Sequence, residues 1–136
     1  MIFVDASAIV AFILAEPEAA ALAAVLDRGD AAFTSPVALY EASLAVARAK
    51  SAPVPIAQKD VRLTLRRMDI AIVEIDDEQA SLALAAFERF GKGRHPAALN
   101  MGDCFAYAST ASRDAHILFK GDDFSQTDLP SALSAS

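Results

Sequence analysis

The amino-acid sequence predicts an α/β fold of three layers, a mostly parallel central sheet of about four strands with helices on both faces. Three observations lead there. Short β-branched and aromatic runs recur between longer segments of helical periodicity, and strands separated by helices imply right-handed crossovers and a parallel sheet. The 136 residues suit one domain, and 54% of them are hydrophobic against 22% charged, which excludes wholesale disorder. Alanine occupies 31 positions, a composition that favours closely packed helices.

The elements follow in order. Ile2-Phe3-Val4 reads as a buried first strand ending at Asp5, and residues 7–14 as the helix after it. Glu16-Pro17-Glu18 interrupts, with Pro17 suited to the first turn of a second helix that runs through Ala19–Leu26 and stops at Arg28-Gly29. Ala32-Phe33-Thr34 is the second strand. Ser35 as N-cap and Pro36 at the first helical position open a long helix to about Lys50. The Pro-rich run 51–55 breaks it, residues 58–68 are helical, and 70–75 alternate as the third strand. Asp76-Asp77 caps a helix through Phe90, 91–100 is a Gly/Pro loop, 101–112 is a further helix and 116–119 the last strand. Residues 1–130 therefore read as a single domain, and the small, polar tail 131–136 is expected to fray.

Charge and cysteine usage narrow the class. A net charge of −6 argues against a protein that coats nucleic acid by bulk charge, and leaves room for an enzyme whose carboxylates are neutralised by a metal ion. Cys104 is the only cysteine, so no intrachain disulfide and no cysteine-rich zinc site can form, and a reducing cytoplasm is the expected setting. The apolar opening has no Lys or Arg before Arg28 and is interrupted by Asp5, so it predicts neither a secretory signal nor a membrane span.

In parallel sheets of this kind the working site lies outside the carboxyl ends of the strands. Asp5 stands at such an end, where it also reads as an N-cap. Glu41 has Val37, Ala38, Leu44 and Ala45 as its helical neighbours, and a carboxylate on an apolar stripe is costly unless water, a partner or a metal meets it. Asp103 opens a helix, where an acid also complements the macrodipole. Asp122 and Asp123 follow the last strand, in a Gly-Asp-Asp run that equally suits a turn. Singly these signals are ordinary. Together, several carboxylates in one cleft require a cation between them, and oxygen-only ligands select Mg²⁺ or Mn²⁺. Such an ion typically serves phosphodiester hydrolysis.

Four segments carry a family resemblance. They are Val4-Asp5-Ala6-Ser7-Ala8-Ile9-Val10-Ala11, the mid-chain Glu41, Asn100-Met101-Gly102-Asp103-Cys104, and Leu118-Phe119-Lys120-Gly121-Asp122-Asp123-Phe124. In order and spacing they resemble PIN-domain nucleases, and specifically the VapC-type toxins of bacterial toxin–antitoxin pairs, over essentially the whole chain. The resemblance implies a three-layer PIN-like fold and a Mg²⁺-dependent endoribonuclease, with Mn²⁺ as a substitute. It also implies inhibition by a cognate antitoxin, a homodimer, and tRNA or another structured RNA as the kind of substrate. Asp5, Glu41 and Asp103 match the family's acidic positions and would be the metal ligands. Asp122 and Asp123 both stand where a fourth acid is placed, and Ser7 and Asn100 support the site.

Basic residues are clustered. Six lie between Arg48 and Arg67, Lys50 among them, against the single acid Asp60, and Arg89, Lys92 and Arg94 lead into the loop before Asp103. Lys50, Lys92 and Arg94 are the RNA-binding candidates, although such runs also make solvated helix faces. His95 and His116 lack metal-ligand spacing, and Tyr40 and Tyr107 read as core or interface. The alanine-rich 19–26 segment suits either the core or a second subunit. Two other readings stay open. One is a protein-binding module whose acidic cleft docks a basic peptide; the other is an aspartyl phosphotransfer domain, against which Ser7 stands where a second Asp would be needed.

Overall fold

The computed structural model describes residues 1–133. Strands β1 (Ile2–Val4), β2 (Ala32–Thr34), β3 (Ile70–Ile72) and β4 (His116–Leu118) pair in the order β3-β2-β1-β4, and all three pairings are parallel. Between them run α1 (Ala6–Ile13), α2 (Ala19–Leu26), α3 (Pro36–Lys50), α4 (Val54–Arg67), α5 (Asp77–Phe90) and α6 (Met101–Ala111). The chain steps outward from β1 to β2 to β3, then returns through α5 and α6 to lay β4 on the other side of β1. The direction of winding therefore reverses between β1 and β4, and the crevice at their carboxyl ends is where such sheets bind ligands.

Strand alternation divides the interior in two. Ile2, Val4 and Leu118 face a core built with Leu22, Val46, Val61 and other residues of α1–α4. Phe3, Phe33 and Ile117 point the opposite way, into a core with Ala83, Phe90, Ala106 and Ala108 of α5 and α6. Helix α3 serves both: Ala42 and Val46 belong to the first core and Ala38 to the second, so α3 also touches α6. That contact brings the middle of α3, with Glu41, toward the start of α6.

Several expected boundaries move, each for a physical reason. Helix α1 begins at Ala6 because the Asp5 side chain caps it. Pro17 lies in the turn before α2, outside its first turn; Glu18 holds the cap position but makes no side-chain cap bond, its carboxylate lying 3.4 Å from the Lys120 ammonium instead. Helix α4 starts at Val54, four residues early, because Pro55 falls in its first turn, where a missing N–H costs nothing. Strand β3 stops at Ile72 rather than reaching residue 75; it is an edge strand, and Ile72 is already exposed. The expected fraying of the tail fails at its start. Ser131 bridges to Ile117, Ala132 N–H donates to the Ile117 carbonyl at 2.8 Å, and Ala132 is buried. Residues 134–136 lie outside the described residues. Among the described residues no helix is long and apolar enough to cross a membrane.

One buried bond ties the sheet to what lies beyond it. The hydroxyl of Thr34, fully buried, donates to the Val4 carbonyl at 2.7 Å, immediately before Asp5. Replacing it by the near-isosteric Thr34→Val removes the donor and leaves that carbonyl short of a partner. The variant is expected to lose about 1–2 kcal/mol of unfolding free energy. A urea titration reads this as a lower midpoint at unchanged slope.

Candidate active site

The crevice at the switch point is a cleft of about 420 Å³ whose lining includes Asp5, Ser7, Glu16, Glu41, Asn100, Asp103, Lys120 and Asp123. Asp5 is placed by the first strand. Its N–H donates to the Leu118 carbonyl at 3.0 Å, extending the β1–β4 pairing by one bond. Its carboxylate accepts from the Ser7 N–H (3.1 Å) and the Ser7 hydroxyl (2.6 Å), while the Ser7 hydroxyl accepts from the Lys120 N–H at 3.0 Å. Ser7 thus fastens the segment after β4 to the acid after β1.

Asp103 is placed by a reciprocal cap. Asn100 precedes α6, and its side-chain oxygen accepts from the Asp103 N–H at 2.9 Å; the Asp103 carboxylate accepts from the Asn100 N–H at 3.1 Å. Glu41 comes from α3 and lies against the first turn of α6, where Gly102 makes room for it. A Cβ at position 102 would collide with both oxygens of the Glu41 carboxylate. Asp123 arrives on the segment after β4, which Gly121 turns at φ +100° and which the Phe119 and Phe124 rings close edge to face, 5.3 Å apart. Of the two adjacent acids, Asp123 lines the cleft and Asp122 does not. The Asp122 carbonyl instead accepts from the N–H and hydroxyl of Ser125, at 3.1 and 2.7 Å, in a turn.

Burial first, and neighbouring carboxylate charge second, raise three of these acids above their ordinary pKa values. Burial, then the charges of Asp5 and Asp103, push Glu41 up to about 7. Burial and the charges of Asp123 and Asp5 push Asp103 up to about 6, against the lowering effect of the Asn100 bond. Asp5, the most buried, is also raised, by burial in the main and by Asp123, although the Ser7 bonds favour its ionised form. Four carboxylates meeting at so little positive charge form an oxygen-only donor set, which fits a hard divalent ion. Among the described residues, no group of three such side chains already encloses an ion position.

The RNA-binding candidates do not reach the cleft. Lys50 lies 3.8 Å from Asp60, Arg94 lies 3.2 Å from Glu88, and neither they nor Lys92 are among the lining residues. His95 packs edge-on against Phe90, and its Nδ1 accepts from the Ala97 N–H. Tyr107 is core, but Tyr40 is 64% exposed and so is not. Four residues gain roles that the sequence did not give them. Lys120 and Glu16 line the cleft as an ion pair (2.7 Å), Gly102 seats Glu41, and Thr34 braces β1.

Two outcomes follow from this electrostatics. Acids with pKa values raised on folding bind protons more tightly in the folded state, so stability falls as pH rises from about 4, their unfolded value, through the folded values near 6 and 7. Metal-free protein is therefore expected to melt higher at pH 5 than at pH 8. Mn²⁺ should raise the melting temperature more at pH 8; equal increments at both values would contradict the assignment. Gly102→Ala should leave stability within about 1 kcal/mol, since a flexible side-chain end can move aside. The moved end is the Glu41 carboxyl, so the same variant should weaken Mn²⁺ binding severalfold by calorimetry.

Comparison with known proteins identifies the family. The PIN domain family matches residues 2–129. A ribonuclease VapC of Mycolicibacterium smegmatis is 35% identical over 93% of this chain and 95% of its own, and a VapC ribonuclease of Rhizobium meliloti is 38% identical over 95% and 99%. The crystal structure of Mycobacterium tuberculosis VapC20, a sarcin-ricin loop cleaving toxin, superposes with a TM-score of 0.74 over 95% of this chain and 96% of that one; at 15% identity it speaks to the fold. A shared fold, a family match over residues 2–129 and identities above one third place the chain: it belongs to the PIN-domain family, among the VapC ribonucleases.

Proposed function

We propose that this chain is a Mg²⁺-dependent endoribonuclease, with Mn²⁺ able to substitute, and that it is the toxin of a toxin–antitoxin pair. The observation that carries the reading is the meeting of Asp5, Glu41, Asp103 and Asp123 at the switch-point cleft, from four separate stretches of chain. Its relatives, named as ribonucleases in each case, supply the substrate class. Asp5, Glu41 and Asp103 would hold the ion and Asp123 would complete the acidic wall. When bound, the ion supplies Lewis-acid polarisation of a phosphodiester and a lowered pKa for the attacking water.

The chain's own residues prepare for that. Ser7 fixes the Asp5 carboxylate through two hydrogen bonds, and Asn100 fixes Asp103 through the cap, so neither acid has to be immobilised when substrate arrives. No side chain need be a covalent nucleophile, since an activated water can attack; the Ser7 hydroxyl, which donates to Asp5 and accepts from the Lys120 N–H, holds the two segments together. A cleft so rich in acid would also accept a basic side chain from a partner, and a cognate antitoxin that inserts one would occlude the ion site. A homodimer and a cytoplasmic location complete the proposal.

Purified protein free of any partner should cut total cellular RNA into discrete fragments with Mg²⁺ or Mn²⁺ and not with EDTA. Asp103→Asn and Asp123→Asn should each lower cleavage at least 100-fold, on the scale of losing one electrostatic element of an active site. Asp122→Asn should cleave at near wild-type rate. Metal-independent fragments, or full activity in Asp103→Asn, would refute the proposal; folded protein that binds a basic partner but never cleaves RNA would favour the binding-module reading.

A further inference from the structure

Lys120 is the one basic side chain among the residues that line the cleft, and the fold spends several interactions on placing it. It shares its segment with Asp123, so the Gly121 turn and the Phe119–Phe124 ring contact that present the acid present the lysine as well. Its N–H is held by Ser7, the residue that also holds Asp5. Its ammonium lies 2.7 Å from Glu16 and 3.4 Å from Glu18, on the turn that leads into α2. These two acids explain why a lysine can wait beside the cleft without collapsing onto Asp5 or Asp123. The ammonium has three donors, and the pair is partly open to solvent, with about a third of the Lys120 side chain exposed. An exposed ion pair of this kind contributes little to stability.

We infer that Lys120 grips a phosphate of the bound RNA strand, with Glu16 and Glu18 holding its ammonium at the rim of the cleft in the free protein. This rests on the ribonuclease reading for its substrate class. A strand that brings a phosphodiester toward the acidic wall meets repulsion from Asp5, Glu41, Asp103 and Asp123, and Lys120 is the side chain in the cleft that offsets it. The candidates Lys50 and Arg94 are each engaged by an acid away from this opening. Lysine suits the task as a compact point charge on a flexible stem, able to follow a phosphate as it moves.

The test measures binding and cleavage separately. Binding of a short fluorescein-labelled single-stranded RNA of mixed sequence is followed by anisotropy across a salt series, in Ca²⁺ and again in EDTA, for wild type, Lys120→Met, Lys120→Arg and Glu16→Gln. Loss of one phosphate contact should flatten the log–log salt slope by about 0.7 and weaken binding about tenfold in Lys120→Met. Lys120→Arg should retain the wild-type slope, and Glu16→Gln, which loosens the ammonium while Glu18 at 3.4 Å still keeps it at the rim, should bind at least as tightly as wild type. Thermal melts of the four proteins report whether each is folded at the assay temperature. A wild-type slope in folded Lys120→Met overturns the inference, as does a loss in Glu16→Gln that matches the loss in Lys120→Met, because the pair would then be a structural tie. The two readings fail separately. A Lys120-dependent slope without metal-dependent cleavage would refute the nuclease and keep the phosphate contact, whereas cleavage with an unchanged slope would do the reverse.

Discussion

The constraint on which the rest of this structure depends is mutual repulsion among carboxylates held at one end of a parallel sheet. Asp5, Glu41, Asp103 and Asp123 are each brought to the cleft by a different segment, and three of them are pushed toward protonation by burial and by one another. No arrangement of this kind arises because it stabilises the chain. It persists because the surrounding backbone overdetermines each position, and because the two cores on either face of the sheet supply the stability that the cleft subtracts.

The fixing devices are economical in that each acid is held by something the fold needs anyway. Asp5 caps α1 and Asp103 caps α6, so a carboxylate at each site would be expected from helix capping alone. The cap bonds also bias these acids toward ionisation, against the effect of burial, which keeps them nearer to the charged form that an ion requires. No hydrogen bond offsets burial at Glu41, and its carboxyl is pushed up to about 7. Its position is set by shape: Gly102, which has no Cβ, opens the start of α6 to it.

What could be read from the sequence was whatever depends on local chemistry. The strand-then-acid at Asp5, the Ser35-Pro36 and Asp76 caps, and the acid on the apolar stripe at Glu41 all rest on residues within one turn of each other, and the structure places them as expected. Asp122 and Asp123 could not be told apart because they are adjacent in a turn; which one faces the cleft is decided by the φ of Gly121 and the ring pair around it. Lys120, Glu16 and Thr34 were illegible for a different reason. Their partners lie 104 residues away for Lys120 with Glu16, and 30 for Thr34 with Val4, so the roles exist only once strand order is known. The docked Ser131-Ala132 belongs to the same class: small polar residues read as a loose end until β4 offers an edge.

The same repulsion connects stability to function. In the metal-free protein the cleft is a cost that grows as pH rises through the range where Glu41 and Asp103 ionise. Any cation that binds the folded state and not the unfolded one recovers part of that cost, so affinity for an ion is built from strain already present rather than from new contacts alone. A divalent ion recovers it from within the acidic wall. Lys120 recovers less, from the rim, because Glu16 and Glu18 already engage its charge. Placing the single lining lysine where two other acids restrain it leaves the wall short of positive charge, and that deficit keeps the cleft receptive to an ion. A lysine released onto Asp5 or Asp123 would satisfy the acids, stabilise the fold and close the site.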